Sequence, residues 1–119
     1  MAKEELRKKV DLAFLSAFYG GLLTEKQRQV LSLHCEEDLS LGEIAEEVGI
    51  SRQAVHETIS RAAARLNEME ASLGVAARFR RMESGLEDAL AALKQHDYTR
   101  AEFLLSDLLA LDQEDSNGL

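Results

Sequence analysis

Residues Asp38 to Leu66 read DLSLGEIAEEVGISRQAVHETISRAAARL, and this stretch holds two helix starts with a sharp turn between them. Ser40 followed three residues later by Glu43 has the spacing of a capping box, in which a side chain and a backbone N–H satisfy each other at both positions. Leu39 and Ile44 have the spacing of a hydrophobic staple across that cap, and Ile44, Ala45 and Val48 share the inner face of the short helix that follows. Gly49 then stands where a helix end takes up a left-handed residue without a Cβ clash, and Ser51 caps the next helix. In that second helix Val55, Ile59, Ala62 and Leu66 are offset by four, three and four residues, so one side of it is buried.

Two helices joined by a short Gly-containing turn, with a small Ala45 allowing close approach, have helix-turn-helix geometry. In such a unit the second helix lays its N-terminal half in the DNA major groove while the first crosses the phosphate backbone. At about 100° per residue, Gln53, Glu57, Ser60 and Ala64 lie opposite the apolar stripe, flanked by His56 and Arg61. Gln53 has the chemistry to read an adenine, Arg61 a guanine or a phosphate, and Ser51 and Arg52 are placed for phosphates at the helix N-terminus. With Arg65, the candidate nucleic-acid contacts are Ser51, Arg52, Gln53, His56, Ser60, Arg61 and Arg65. Glu57 opposes phosphate unless it reads a cytosine.

Outward from this segment the chain of 119 residues continues as helices, with no Pro and apolar residues recurring every three or four positions. An N-terminal helix with a stripe of Leu6, Val10, Phe14, Ala17 and Phe18 is expected to stop at Gly20-Gly21, and Thr24 with Gln27 forms a capping box for the next, which runs to about Cys35 or Glu36. The net charge of −8 argues against a protein that coats nucleic acid indiscriminately. It is unevenly spread, however: residues 1–50 carry 6 basic and 10 acidic side chains, 51–81 carry 6 and 3, and 82–119 carry 2 and 9. All six cations of the middle window are arginines, and besides those of the second helix it holds Arg78, Arg80 and Arg81, expected as secondary phosphate contacts. The single Cys excludes an internal disulfide framework and a Cys-rich zinc module. Neither a secretory signal nor an apolar run long enough for a membrane span is found, so the expectation is a cytoplasmic chain.

The pieces FYG, LLTEKQ and EEDLSLGEIAEEVGISRQAV, in that order between Phe18 and Leu66 with the trailing arginine, resemble the YlxM family (UPF0122) of small bacterial helix-turn-helix proteins. With the preceding helix the resemblance covers about residues 3–73, and the same core is similar to the sigma-factor region that reads the −35 promoter element. The fold this implies is a helix-turn-helix helical bundle of winged-helix-like or sigma region 4-like type, set in a chain that reads as all-α from its periodicity and ends in a C-terminal helical hairpin. It also implies a cytoplasmic regulatory protein encoded beside the signal-recognition-particle GTPases Ffh and FtsY, acting in that targeting pathway. The ligand is left open between DNA and the particle's RNA, because A-form RNA has a major groove too deep and narrow to admit a helix. The Gln53/His56/Ser60/Arg61 face suits DNA, and the Arg78/Arg80/Arg81 cluster could serve RNA phosphates.

Beyond Gly74, Val75, Phe79, Met82, Leu86, Leu90 and Leu93 define a long amphipathic helix to about Gln95. Asp97 then caps a last helix with Tyr98, Ala101, Leu105 and Leu108 as inner positions. ALKQHDYTRAEFLLSDLLALD is similar to half of a tetratricopeptide repeat, with His96 at the usual Gly and Gln113 at the usual Pro. The expected division is a helix-turn-helix domain over 1–73, a hairpin over 74–112 and a flexible polar tail over 113–119. One such hairpin does not bury its apolar face alone, so it is expected to pack on the N-terminal helices, on a second copy of the chain or on a protein partner, with a homodimer favoured. No metal ligation, cofactor or enzymatic activity is expected, since His34, His56 and His96 are far apart and no phosphate-binding Gly loop occurs.

Overall fold

The computed structural model describes the backbone of residues 2–117 and the side chains of residues 2–111. Among the described residues six helices follow one another: α1 (Ala2–Tyr19), α2 (Glu25–Cys35), α3 (Leu41–Val48), α4 (Arg52–Leu73), α5 (Val75–Lys94) and α6 (Tyr98–Asn117), with a 3-10 turn at Gly20–Leu22. Among the described residues no strand occurs, so α4 is followed by a further helix rather than by a wing. The chain divides into two compact units, residues 1–76 and 77–119.

Local chemistry sets the ends of the helices in the first unit. Thr24 and Gln27 close a capping box at α2, Ser40 and Glu43 another at α3, and the Ser51 hydroxyl accepts the Ala54 N–H at 3.0 Å at α4. Gly49 ends α3 at φ +78° and Gly74 ends α4 at φ +63°, both left-handed positions where a side chain would be strained. Asp38 also lies in that region, at φ +54°, in the turn between α2 and α3, where it is ion-paired to Lys9 of α1.

The inner stripe of α4 joins two clusters. Its N-terminal part, Val55, packs with Val30, Leu33, Ile44 and Ala45, the core of the helix-turn-helix. Its C-terminal part, Ala62 and Leu66, packs with Tyr19, Leu23 and Leu31, and Ile59 touches both clusters. Val30, Ile44, Val55 and Leu66 are fully buried, each contributing about 1.5–3 kcal/mol by transfer from water. α4 is therefore held along its whole inner face, and it runs on to Leu73, a further seven residues past Leu66.

The core-facing side of α1 differs from the expected stripe. Leu12, Leu15, Phe18 and Tyr19 face the core, whereas Leu6 and Val10 are 63% and 57% exposed and Ala17 is also exposed. Two apolar stripes lie nearly opposite each other on this helix at 100° per residue, and only the α2 and α4 surfaces select between them. Tyr19 also ties down the start of α5. Its buried hydroxyl donates to Glu70 Oε1 and accepts the Val75 N–H at 3.1 Å, while Glu70 Oε1 accepts the Ala76 N–H at 3.0 Å. These bonds satisfy amide donors that a helix start leaves without intrahelical partners. Burial, and then the Glu70 carboxylate, push the Tyr19 phenol pKa up.

In the second unit, α5 and α6 meet through small residues. Ala89, Ala92 and Ala101 are buried, and a Cβ on Gly85 would lie 2.5 Å from Leu108 Cδ2, so the helices touch where side chains are shortest. The stripe expected to be inner on α5 is instead largely exposed at Phe79, Leu86, Leu90 and Leu93, and on α6 Tyr98 is 63% exposed and Leu105 is exposed. Periodicity marked an apolar face correctly but not whether anything in the chain covers it. His96 takes up φ +60° in the turn, which accounts for the usual Gly at that position, and Asp97 accepts the Arg100 N–H at 3.1 Å as the cap of α6. α6 extends to Asn117, past the expected end at residue 112, since no Gly or Pro interrupts it before Gly118. Of the expected tail, residues 118 and 119 lie outside the described residues.

Candidate nucleic-acid interface

The capped start of α4 presents Ser51, Arg52, Gln53, His56, Ser60, Arg61 and Arg65 to the exterior, all of them exposed. Ser51 fixes the helix start with its oxygen and keeps its hydroxyl proton available for an anion. Taking the buried stripe as reference and 100° per residue, Gln53 and Glu57 form the outer ridge of the helix. His56 and Ser60 lie on one flank of that ridge, and Arg61 and Arg65 on the other. Neither Arg61 nor Arg65 makes an ion pair among the described residues, which leaves both guanidinium groups for a ligand.

Arg52 is held against α3. Its guanidinium lies over Gly42, where an added Cβ would come within 2.9 Å of a terminal nitrogen, in a groove shared with Ser40, Glu43 and Ile50. A residue at position 42 larger than Gly would displace this cation, a constraint the sequence reading did not identify. The backbone N–H of Ser40 pulls the Glu43 carboxyl below its ordinary pKa, which favours its ionised form.

Arg78, Arg80 and Arg81 belong to the second unit; Arg78 is half-buried, the other two are exposed, and each already has an interaction partner.

The flank carrying His56 and Ser60 borders a cleft of about 540 Å³ that also receives Lys8 and Lys9 from α1 and His34 from α2. Sequence reasoning missed the two lysines as neighbours of α4; the available signal is that Glu5, Lys8, Lys9 and Leu12 share one helical face. Lys9 is neutralised by Asp38, whose carboxyl pKa is lowered by that hydrogen bond and charge. His34 Nδ1 is buried without a hydrogen-bond partner among the described residues. Burial first, and then Lys9, push the His34 pKa below its ordinary value, with Asp38 opposing, so the ring is neutral near pH 7. Burial raises the pKa of the neighbouring Cys35 thiol, which favours its neutral form.

The His34 environment makes stability pH-dependent. The unfolded chain protonates this ring at about pH 6.5, whereas the folded state resists protonation. Its contribution is thus complete above about pH 6.5 and declines as the pH falls through the lower folded value. Thermal midpoints of the wild type should fall between about pH 7 and pH 5, and those of His34→Gln should fall less. Parallel profiles would contradict this. The depressed Asp38 and Glu43 act only in a more acid range, below about pH 4.

No helix among the described residues is long and apolar enough to cross a membrane. Compared with known proteins, residues 6–106 match the family model described as "Putative helix-turn-helix protein, YlxM / p13 like". A UPF0122 protein of Halalkalibacterium halodurans is 41% identical over 107 residues, covering 90% of this chain and 96% of its own. One from Symbiobacterium thermophilum is 43% identical over 99 residues, covering 83% and 92%, and one from Bacillus cereus 44% over 90 residues, covering 76% and 78%. The family match runs beyond residue 73 through α5 into α6, so the similarity extends further than the motifs between Phe18 and Leu66 indicate. With the two capped helices, the αL Gly49 turn and these matches together, the chain belongs to the UPF0122 family of YlxM / p13-like helix-turn-helix proteins.

Proposed function

We propose that this chain is a non-enzymatic cytoplasmic regulatory protein that binds duplex DNA through α3 and α4. The observation that carries the reading is the exposed, Ser51-capped start of α4, with Gln53 on the ridge and arginines unpaired among the described residues on one flank. A helix presented in this way fits the B-form major groove and not the narrow A-form one, which favours DNA over the particle RNA. The place of the protein in signal-recognition-particle targeting, with Ffh or FtsY as partner, is the regulatory setting that the YlxM resemblance implies.

Selection from random duplexes should return one enriched motif, and the purified chain should alter GTP hydrolysis by Ffh or FtsY. The absence of an enriched motif would remove the DNA reading. Enrichment without any change in GTP hydrolysis would leave a transcription regulator in place of a targeting factor.

A second reading rests on the exposed Leu86, Leu90 and Leu93 of α5, an apolar surface in residues 82–119, whose charge is strongly acidic. It supports a homodimer through the hairpin, which would place two recognition helices on a two-fold site. Sedimentation of the full chain and of Leu86→Glu tests this, the dimer being expected only for the wild type.

A further inference from the structure

The arginines of α4 all serve one side of its outer ridge or its start. Arg61 and Arg65 lie on the flank away from α1, and Arg52 is held over Gly42 at the N-terminus. A helix lying in a groove about 12 Å wide is bordered by phosphates on both sides, so a cation beside the opposite flank adds a contact to the second strand. On α4 that flank carries Arg52 at the helix start, drawn over Gly42, and beyond it His56 and Ser60, both of which line the cleft against α1.

Within this cleft the charged residues are Glu5, Lys8 and Lys9. Lys9 is committed to Asp38, but Lys8 is exposed and makes no ion pair among the described residues. Its stem rises from the same face of α1 that Leu12, Leu15 and Tyr19 anchor in the core, and the Lys9–Asp38 pair fastens that turn of α1 to the start of the helix-turn-helix. Lys8 thereby lines the same cleft as His56 and Ser60 from a helix packed on the core rather than from a loose terminal arm. Resting on the DNA reading above, the geometry points to Lys8 as a phosphate contact for the second strand. His56 and Ser60 donate to the same phosphate, and the α1 cleft acts as the second jaw of the groove-binding surface.

The test is the salt dependence of binding to the enriched duplex, between about 50 and 200 mM salt. Lys8→Gln should reduce the slope of log K against log salt by about 0.9, the release of one phosphate's counterion. Lys94→Gln, the same charge change at the end of α5 and outside the cleft, should leave the slope unchanged. Bound duplex should also protect Lys8, and not Lys94, from acetylation of the wild-type protein, a readout that needs no variant to fold. A wild type that binds while Lys8→Gln keeps its slope, or loses no more slope than Lys94→Gln, or leaves Lys8 open to acetylation, overturns the assignment without touching the role of α4. A wild type that binds no duplex removes both.

Discussion

Leu66→Ala should destabilise the first unit by about 2–5 kcal/mol, the range for truncating a buried leucine that leaves a cavity. Leu66 is fully buried where α4 meets Tyr19, Leu23 and Leu31, so the gap opens among residues of four segments and cannot close by moving one of them. A unit of this size has a total stability of about 5–15 kcal/mol, and each kcal/mol lowers its melting midpoint by about 4–8 °C. Urea denaturation of the full chain, followed by Tyr19 environment and by far-UV circular dichroism, measures the change. Leu73, 61% exposed near the end of the same helix, is the internal control, with Leu73→Ala expected within about 0.5 kcal/mol of wild type. A loss at Leu66 no greater than at Leu73 would show that α4 is not organised by its inner stripe.

That inner stripe was legible in the sequence because its causes are local. The capping boxes at Thr24 and Ser40, the Ser51 cap and the left-handed Gly49 each involve residues within a few positions, and the α4 stripe has only one apolar side to choose. On α1 two opposed apolar stripes satisfy the same period, and the choice of Leu12, Leu15 and Tyr19 over Leu6 and Val10 is made by α2 and α4. The Tyr19–Glu70 bond spans 51 residues and the Lys9–Asp38 pair 29, distances over which spacing carries no information. The hairpin shows a different gap: its apolar period was real, but Gly85, Ala89, Ala92 and Ala101 make the close contacts and the large side chains face outward. For the candidate site, the outward residues of α4 followed from the period, whereas the placement of Arg52 over Gly42 and of Lys8 in one cleft with His56 required the packed helices.

Arg61→Ala should weaken binding to the enriched duplex by about 1–3 kcal/mol, roughly 5- to 150-fold. The size follows from how few cations the surface has. The chain carries a net charge of −8, and the six basic residues of 51–81 are set between acidic segments, so non-specific attraction is weak and a single guanidinium supplies a large share of the whole. Arg61 lies nine residues beyond Arg52, about 13–14 Å along the axis, and its Cα–Cβ bond tilts toward the helix N-terminus, which directs the long side chain back toward the groove-facing half. Two outcomes distinguish its role. If the guanidinium reads a guanine, the loss disappears on duplexes with that base pair replaced, while the salt slope is unchanged. If it holds a phosphate, the loss is uniform across sequences and the slope falls by about one. Arg65→Ala, one turn further from the helix start, should follow the second pattern with a smaller loss. Wild-type affinity in Arg61→Ala would mean that the Arg61 flank does not face the duplex, and the major-groove orientation of α4 would have to be abandoned. The salt slope therefore has to be measured together with affinity, because the same loss at one salt concentration arises from either contact.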